Sequence, residues 1–246
     1  MNKKNGSIFT PILIGGSLIL LISFAIRSTF GLFQIPIAEQ FMWARSEFSL
    51  AIAIQNLAWG IGTPIFSAFA EKYGDRKAVT VGLLLYALGI FISSTASSPE
   101  AHQLLNILIG FGIAGSGFGP ILAVVGRSAS PEKRSLALGI TTAAGSGGQV
   151  VGPPIAAILL GIMPWSSVFV IFTIVSLLTI ILVPLLKSNP KVSKNEVEEN
   201  LSDALIEAVK DPTYIMLFLG FFSCGFQLAF ITAHFPAFIA ESSSPI

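Results

Sequence analysis

The sequence predicts an all-α, polytopic membrane protein, and its composition and apolar runs carry that prediction. Of its 246 residues, 53% are hydrophobic and 11% are charged, with a mean hydropathy of +0.79. A soluble domain carries about 25% charged residues, so this chain has less than half the usual amount. Several uncharged stretches also reach the roughly 20 apolar residues that a helix needs to cross a bilayer.

These apolar stretches predict seven helical spans. The first stretch follows Lys3 and Lys4 as a signal peptide would. It continues to about Phe33 without a small-residue cleavage site, so we interpret it as a span. The predicted spans cover residues 8–34, 48–70, 78–96, 102–125, 136–162, 167–186 and 213–240.

One long polar connection, residues 187–212, divides the chain. It predicts a six-helix bundle over 1–186, a cytoplasmic linker, and a seventh span within 213–246. Within the linker, apolar residues recur at helical spacing, at Leu201, Leu205, Ala208 and Val209. They favour an interfacial helix ended by Asp211 and Pro212, and a flexible linker is the open alternative.

The basic residues predict the orientation. Only Arg45 falls on the outer side and Arg27 lies within the first span, while twelve lie on the other side. The positive-inside rule then places the N-terminus in the cytoplasm, in a multi-pass protein of the cell's inner (plasma) membrane. The twelve are Lys3, Lys4, Lys72, Arg76, Lys77, Arg127, Lys133, Arg134, Lys187, Lys191, Lys194 and Lys210.

Several partners and cofactors are not expected. The net charge of +1 and the lack of a basic stripe argue against nucleic acid. A single cysteine, Cys224, offers neither a disulfide nor a metal site and is predicted to be a buried small side chain. The glycines from Gly110 to Gly119 fit a dinucleotide fingerprint only in part, since no strand precedes them. They are interpreted as helix-packing sites, so no cofactor is expected.

Residues 69–79, "FAEKYGDRKAV", concentrate five charged side chains between the second and third spans. The run from Ser67 to Lys77 resembles the loop signature of the major facilitator superfamily, with Ser67 and Glu71 in place of a glycine and an aspartate. Gly74 provides the tight turn. In that family the loop latches two six-helix halves together. The resemblance implies a latch of Glu71, Gly74, Asp75, Arg76 and Lys77, for which Arg127 or Glu132 would provide partners.

The fifth span contains a second motif. Gly139, Gly148, Gly152 and Pro153 resemble the antiporter-type signature of the same family, although Ala156 and Ala157 stand where that signature has glycines. Small residues let helices approach closely in lipid, and proline bends a helix. The fourth span departs from the family, because Asn106 occupies a position that is often arginine.

The wider sequence, including "FGLFQIPIAEQFMWARSEFSLA", is similar to the bacterial monocarboxylate-transporter-like group, relatives of the oxalate/formate exchangers. Such transporters have about twelve spans, which implies that this chain is an N-terminal fragment with the first seven. An offset of 200 residues aligns Arg27 with Gln227, Gln34 with His234 and Pro36 with Pro236, as a repeat of two parallel halves would.

The resemblance implies a secondary transporter that moves a small organic anion by alternating access. Whether a proton or a counter-anion is transported with it is left open by the sequence. Arg27 is the strongest candidate for a substrate-binding residue. Inserting an arginine at the centre of a membrane helix costs about 2.5–3.5 kcal/mol, which indicates a function for it, and a carboxylate fits the guanidinium through two parallel hydrogen bonds. The alternative is that Arg27 reaches the outer surface. Weaker cavity candidates are Gln34, Gln55, Asn56, Thr142, Gln149, Gln227 and His234.

Three rival functions remain open on the sequence. A membrane-embedded enzyme would need acidic clusters or metal ligands, and no such motif is present in the sequence. A non-transporting sensor or scaffold is compatible with the same spans. Among transporters, an exporter of drugs or neutral solutes is the alternative to an anion carrier.

Overall fold

The structure, a computed structural model, describes residues 8–187 and 201–242. Every regular element in these ranges is a helix, which confirms the all-α prediction. The elements are α1 (Pro11–Arg27), a 3₁₀ turn (Phe30–Phe33), α2 (Gln34–Phe41), α3 (Arg45–Tyr73), α4 (Asp75–Ser93), α5 (Pro99–Ser116), α6 (Phe118–Ser128), α7 (Arg134–Ile162), α8 (Trp165–Thr179), a 3₁₀ segment (Ile180–Leu185), α9 (Leu201–Lys210) and α10 (Pro212–Ser242).

Seven segments of the described chain are long and apolar enough to cross a membrane, as predicted. Their bounds are Pro11–Phe41, Arg45–Tyr73, Asp75–Ser93, Pro99–Ser128, Arg134–Ile162, Trp165–Leu185 and Pro212–Ala240. The first was predicted to end at residue 34. It continues to Phe41 because the 3₁₀ turn leads directly into α2.

The first span is discontinuous near its middle. After Arg27 the backbone leaves the α-helix, and two side-chain hydroxyls donate hydrogen bonds to backbone carbonyls at the break. Ser28 Oγ donates to the carbonyl of Ala25 at 3.0 Å, and Thr29 Oγ1 donates to that of Ile26 at 2.7 Å. Arg27 therefore stands at a helix break with 16 residues of span before it (27 − 11) and 14 after it (41 − 27).

The first six spans pack around glycine-rich crossings. A Cβ at Gly115 of α5 would lie 2.7 Å from Gly82 Cα of α4, and a Cβ at Gly112 would touch the backbone of Tyr86. On its other side, α5 brings Gly110 against Gln55 and Ala58 of α3. The predicted packing role of the α5 glycines is confirmed at these crossings.

The glycines of α7 divide into two groups. Gly148 and Gly152 meet the backbone of Leu21 and Ala25, so α7 lies directly against α1. Gly139 has open space beside it and does not contribute to that contact. The helix continues unbroken through Pro153.

The last two helices lie outside the six-span bundle. α9 forms within the polar connection, while its predicted position at the membrane surface stays a prediction. α10 packs against the 3₁₀ turn Phe30–Phe33 and against α3. Cys224, predicted to be buried, is exposed, because α10 is covered along only part of its length. Lys3, Lys4, Lys191 and Lys194 lie outside the described residues.

Candidate functional site

Arg27 lies inside the bundle with 7% of its surface exposed. Its Nη2 donates to Asn56 Oδ1 on α3 at 2.8 Å. Its guanidinium lies 4.5 Å from the ring centroid of Trp59, one turn further along α3, and 5.9 Å from that of Phe24. The cation is thus held by one amide oxygen and by aromatic faces, which attract positive charge.

Two of the three guanidinium nitrogens have no hydrogen-bond partner among the residues that the structure describes. Nε and Nη1 of Arg27 are buried and make no hydrogen bond. Within the described part of the chain, no carboxylate lies within ion-pair distance of Arg27. A helix rises about 1.5 Å per residue, so Arg27 is roughly 20 Å from either end of its span. Its side chain lies buried against Asn56, Trp59 and Phe24, which argues against the alternative that it reaches the outer surface.

A small cavity lies beside Arg27, between the first span, α3 and α10. Its volume is about 10 Å³, which accommodates about one water molecule. Gly31 closes it on one side, since a Cβ at Gly31 would overlap the carbonyl oxygen of Thr232. The residues that line it are Arg27, Phe30, Gly31, Ile52, Gln55, Asn56, Thr232 and Ala233.

Gln55 connects this cavity to α5. It is 2% exposed, and its Nε2 donates to Asn106 Oδ1 at 2.9 Å. Asn106 Nδ2 in turn donates to the carbonyl of His102 at 2.8 Å. Asn106, the position that is often arginine in the resembling family, therefore serves here as a neutral hydrogen-bonding partner between two helices.

The structure places the other cavity candidates elsewhere. Gln34 is buried and donates to Ser49 Oγ at 3.2 Å, near the start of α3. Thr142 is exposed, and Gln149 is half-buried with a buried Oε1 that has no partner. Gln227 and His234 lie on exposed parts of α10.

The α10 wall of the cavity is formed by other residues than the repeat predicted. Thr232 and Ala233 line it, whereas Gln227, the cavity candidate that the repeat aligns with Arg27, does not. The position differs because α10 crosses the first span at Gly31, beyond Arg27, and not at Arg27 itself. His234, next to this wall, lies with its ring 5.5 Å from that of Phe230.

The charged loop between α3 and α4 forms a second polar cluster. Gly74 has φ of 98°, a conformation that favours glycine, and it joins the two helices directly. Asp75 forms an ion pair with Arg127 at the end of α6, and Arg76 donates to the carbonyl of Pro184 at the end of the sixth span. Glu71 and Lys77 are exposed.

This cluster contains part of the predicted latch. Asp75 and Arg127 come together as expected, while Arg76 binds a backbone carbonyl and no described residue pairs with Glu71 or Glu132. Within the bundle the cluster therefore ties the start of α4 to the ends of the fourth and sixth spans.

Two residues at the site were not predicted from the sequence. Trp59 follows Gln55 and Asn56 at helical spacing, so the pattern i, i+3 and i+4 could have placed it beside them. His102 is 2% exposed, stacks on Phe48 at 5.5 Å and has a buried Nε2 without a partner. Its position four residues before Asn106 puts both on one face of α5.

Comparison with known proteins assigns the family. The model of the Major Facilitator Superfamily matches residues 16–244 of this chain. The chain belongs to the major facilitator superfamily. The members of this family that the chain resembles are transporters and not enzymes, so the enzyme alternative has no support.

The relatives within the superfamily are distant. Monocarboxylate transporter 13 of Bos taurus is 30% identical over 63% of this chain and 36% of its own length. The uncharacterized MFS-type transporter YcxA of Bacillus subtilis is 26% identical over 85% of this chain and 52% of its own. The chain thus spans about half the length of these relatives, or less.

A solved structure supports the same fold. A bacterial homologue of the human lysosomal transporter Spinster, in an inward-facing and unoccupied conformation, superposes with a TM-score of 0.61. It is 16% identical, and the match covers 92% of this chain and 58% of that one. This superfamily fold is the six-helix bundle and seventh span described above.

Proposed function

We propose that this superfamily member takes part in secondary transport of a small organic anion by alternating access, with Arg27 as the anion-binding residue. The observation that carries the proposal is the buried guanidinium at the cavity whose Nε and Nη1 have no partner. An isolated buried charge is unfavourable unless it is paired. A carboxylate from the substrate would provide the missing charge.

The geometry of the guanidinium suits a carboxylate. Asn56 Oδ1 uses one hydrogen of Nη2, and the second hydrogen of Nη2 stays available beside Nε or Nη1. Two parallel N–H donors of this kind form the fork that binds a carboxylate through both oxygens. Trp59 covers one face of the guanidinium, so the donors at its edge are the groups that a ligand would meet.

The position of Arg27 supports a role in transport. Substrate sites of secondary transporters lie near the bilayer midplane, beside helices that are discontinuous there. Arg27 stands close to the middle of Pro11–Phe41, at the break between α1 and the 3₁₀ turn. Separation of Gly31 from Thr232 would open the cavity, which in this structure has room for about one water molecule.

The names of relatives agree with an anionic substrate. One is a monocarboxylate transporter, one a probable anion transporter of Arabidopsis thaliana and one a probable L-galactonate transporter of Escherichia coli. Another is a methyl viologen resistance protein of Salmonella typhimurium. An unpaired arginine would repel a cationic solute such as methyl viologen, so we favour the anion.

We also infer that the N-terminus is cytoplasmic and that the protein resides in the plasma membrane. The twelve basic residues on one side support this orientation through the positive-inside rule. The cluster of Asp75, Arg76 and Arg127 would then lie on the cytoplasmic side, as in the latch of the superfamily. The same interpretation divides the protein into the bundle 1–186, the linker 187–212 and the span within 213–246.

The test is uptake of radiolabelled propionate into proteoliposomes containing the full-length protein. Arg27→Leu should lower uptake about 10- to 100-fold, the effect of losing a hydrogen bond between charged groups. Arg27→Lys should give an intermediate loss, since it keeps the charge without the planar fork.

The matched control is Arg134→Leu, which removes an exposed arginine at the start of α7. It should transport propionate like the wild-type chain. Undiminished uptake by Arg27→Leu, with equal amounts of protein in the liposomes, would contradict the assignment of Arg27. Preferential uptake of methyl viologen by the wild-type chain would contradict the anionic substrate.

A further inference from the structure

The amide groups of Gln55 and Asn56 differ in what they leave available to a ligand. A backbone carbonyl can only accept, so the bond from Asn106 Nδ2 to the carbonyl of His102 fixes the orientation of the Asn106 amide. Its Oδ1 must then accept, and Gln55 must donate through Nε2. The same reasoning fixes Asn56, whose Nδ2 donates to the carbonyl of Ile52.

The two amide oxygens therefore have different roles. Asn56 Oδ1 is engaged by Arg27. Gln55 Oε1 makes no hydrogen bond to the described residues, although Gln55 is 2% exposed and lines the cavity. Two residues that line the cavity thus carry unbonded polar atoms, the donors Nε and Nη1 of Arg27 and the acceptor Oε1 of Gln55.

We propose that Gln55 determines specificity by accepting a hydrogen bond from a hydroxyl beside the carboxylate of the substrate. This inference rests on the proposed function, because it assumes that Arg27 binds the carboxylate. It narrows the substrate class to small hydroxy acids. Asn106 acts as a positioning residue, since it keeps the nitrogen of the Gln55 amide directed away from the cavity.

Discrimination between substrates follows because Gln55 Oε1 can only accept a hydrogen bond. A hydroxyl satisfies Gln55 Oε1, a methylene leaves it unpaired, and a keto oxygen places one acceptor against another. Sites built to bind a polar group reject analogues that lack it, because their own buried groups then have no partner. We expect about a 10-fold preference for the hydroxy acid. The apolar walls formed by Phe30, Ile52 and Ala233 favour a short chain.

The test uses three acids with one carbon skeleton: lactate, pyruvate and propionate. Uptake of each is measured with the full-length protein in proteoliposomes, for the wild-type sequence and for Gln55→Met. The wild-type chain should prefer lactate about 10-fold over both other acids. In Gln55→Met, the preference for lactate should disappear, so that the ratio of lactate uptake to propionate uptake falls to about 1.

A second variant separates positioning from structural damage. Asn106→Leu frees the Gln55 amide to turn its nitrogen toward the cavity, so the preference for lactate over pyruvate should disappear or reverse. Thr173→Val is the control, because Thr173 is buried on α8 and bonds only within its own helix, to the carbonyl of Phe169 at 2.9 Å. It should keep the wild-type ratios.

The outcomes distinguish this inference from the proposed function. Equal wild-type uptake of the three acids would overturn the role of Gln55 and leave the anion carrier intact. An equal loss for all three acids in Gln55→Met would also overturn it. If wild-type chain takes up none of them, the proposed function fails and this inference fails with it.

Discussion

Arg27 and Arg127 are two arginines of one bundle in opposite environments. Arg127 has a side chain that is 41% exposed and an ion pair with Asp75, whose side chain is 6% exposed. Arg27 is 7% exposed and has an amide and two aromatic rings around it, but no carboxylate partner among the described residues. The pair at Arg127 is complete within the bundle and joins helix ends. The cation at Arg27 instead keeps two nitrogens, Nε and Nη1, without a hydrogen-bond partner among the described residues.

The largest effect on propionate uptake should come from giving Arg27 a carboxylate partner within the bundle, as Arg127 has in Asp75. Asn56→Asp places a carboxylate where Arg27 already donates, at 2.8 Å from Asn56 Oδ1. Two unit charges about 4 Å apart, the approximate separation of the two charge centres, attract by about 4 kcal/mol at an effective dielectric constant near 20. Propionate uptake should therefore fall about 100-fold or more, with no loss of thermal stability.

The control for this experiment is Asn56→Leu. It removes the same hydrogen bond without adding charge, so uptake should fall by less than about 10-fold. Thermal unfolding in detergent, followed by circular dichroism, verifies that both variants fold. If Asn56→Asp transports propionate as well as Asn56→Leu does, charge at Arg27 does not govern binding.

A smaller effect is expected for substitution of Arg127, and it concerns the stability of the fold rather than propionate uptake. Arg127→Gln removes the cation from the buried Asp75 carboxylate, which should lower the free energy of unfolding by about 1 kcal/mol. The KM for propionate should stay within about twofold of wild type, since the pair is structural. A KM increase as large as that of Arg27→Leu would remove the distinction between the two arginines.

The smallest effect should be found at Arg76. Its side chain is exposed and donates to the carbonyl of Pro184, so Arg76→Gln should change the free energy of unfolding by less than about 0.5 kcal/mol. Lys77→Gln in the same loop is the matched control, because Lys77 is also exposed. A loss above about 1 kcal/mol for Arg76→Gln alone would mean that the sixth span depends on this bond.

The sequence predicted the spans well because burial in lipid imposes length and polarity on each of them. It also predicted the ion pair of Asp75 with Arg127 through a family motif. It did not predict the break after Arg27, where Ser28 and Thr29 cap their own helix. Hydroxyls of this kind are common in apolar helices, so their sequence does not reveal whether they end a helix.

The cavity could be predicted only in part. Arg27, Gln55 and Asn56 are large polar residues within long apolar spans, and the structure brings them together. Gln227 and His234 came from an alignment of two helices, which does not specify where these helices cross. That crossing depends on Gly31, whose missing side chain permits contact with Thr232. The sequence alone does not show which helix a glycine such as Gly31 contacts.

The contact between Gly31 and Thr232 has a consequence for biogenesis. It joins residues 201 positions apart (232 − 31), and contacts of long sequence separation are slow to form because a large loop must close. Arg27 therefore enters the membrane long before α10 is synthesised. Its contacts with Asn56 and Trp59 of the next span do not depend on α10 and can form earlier. The cavity, which Thr232 and Ala233 of α10 help to line, is complete only once α10 has docked.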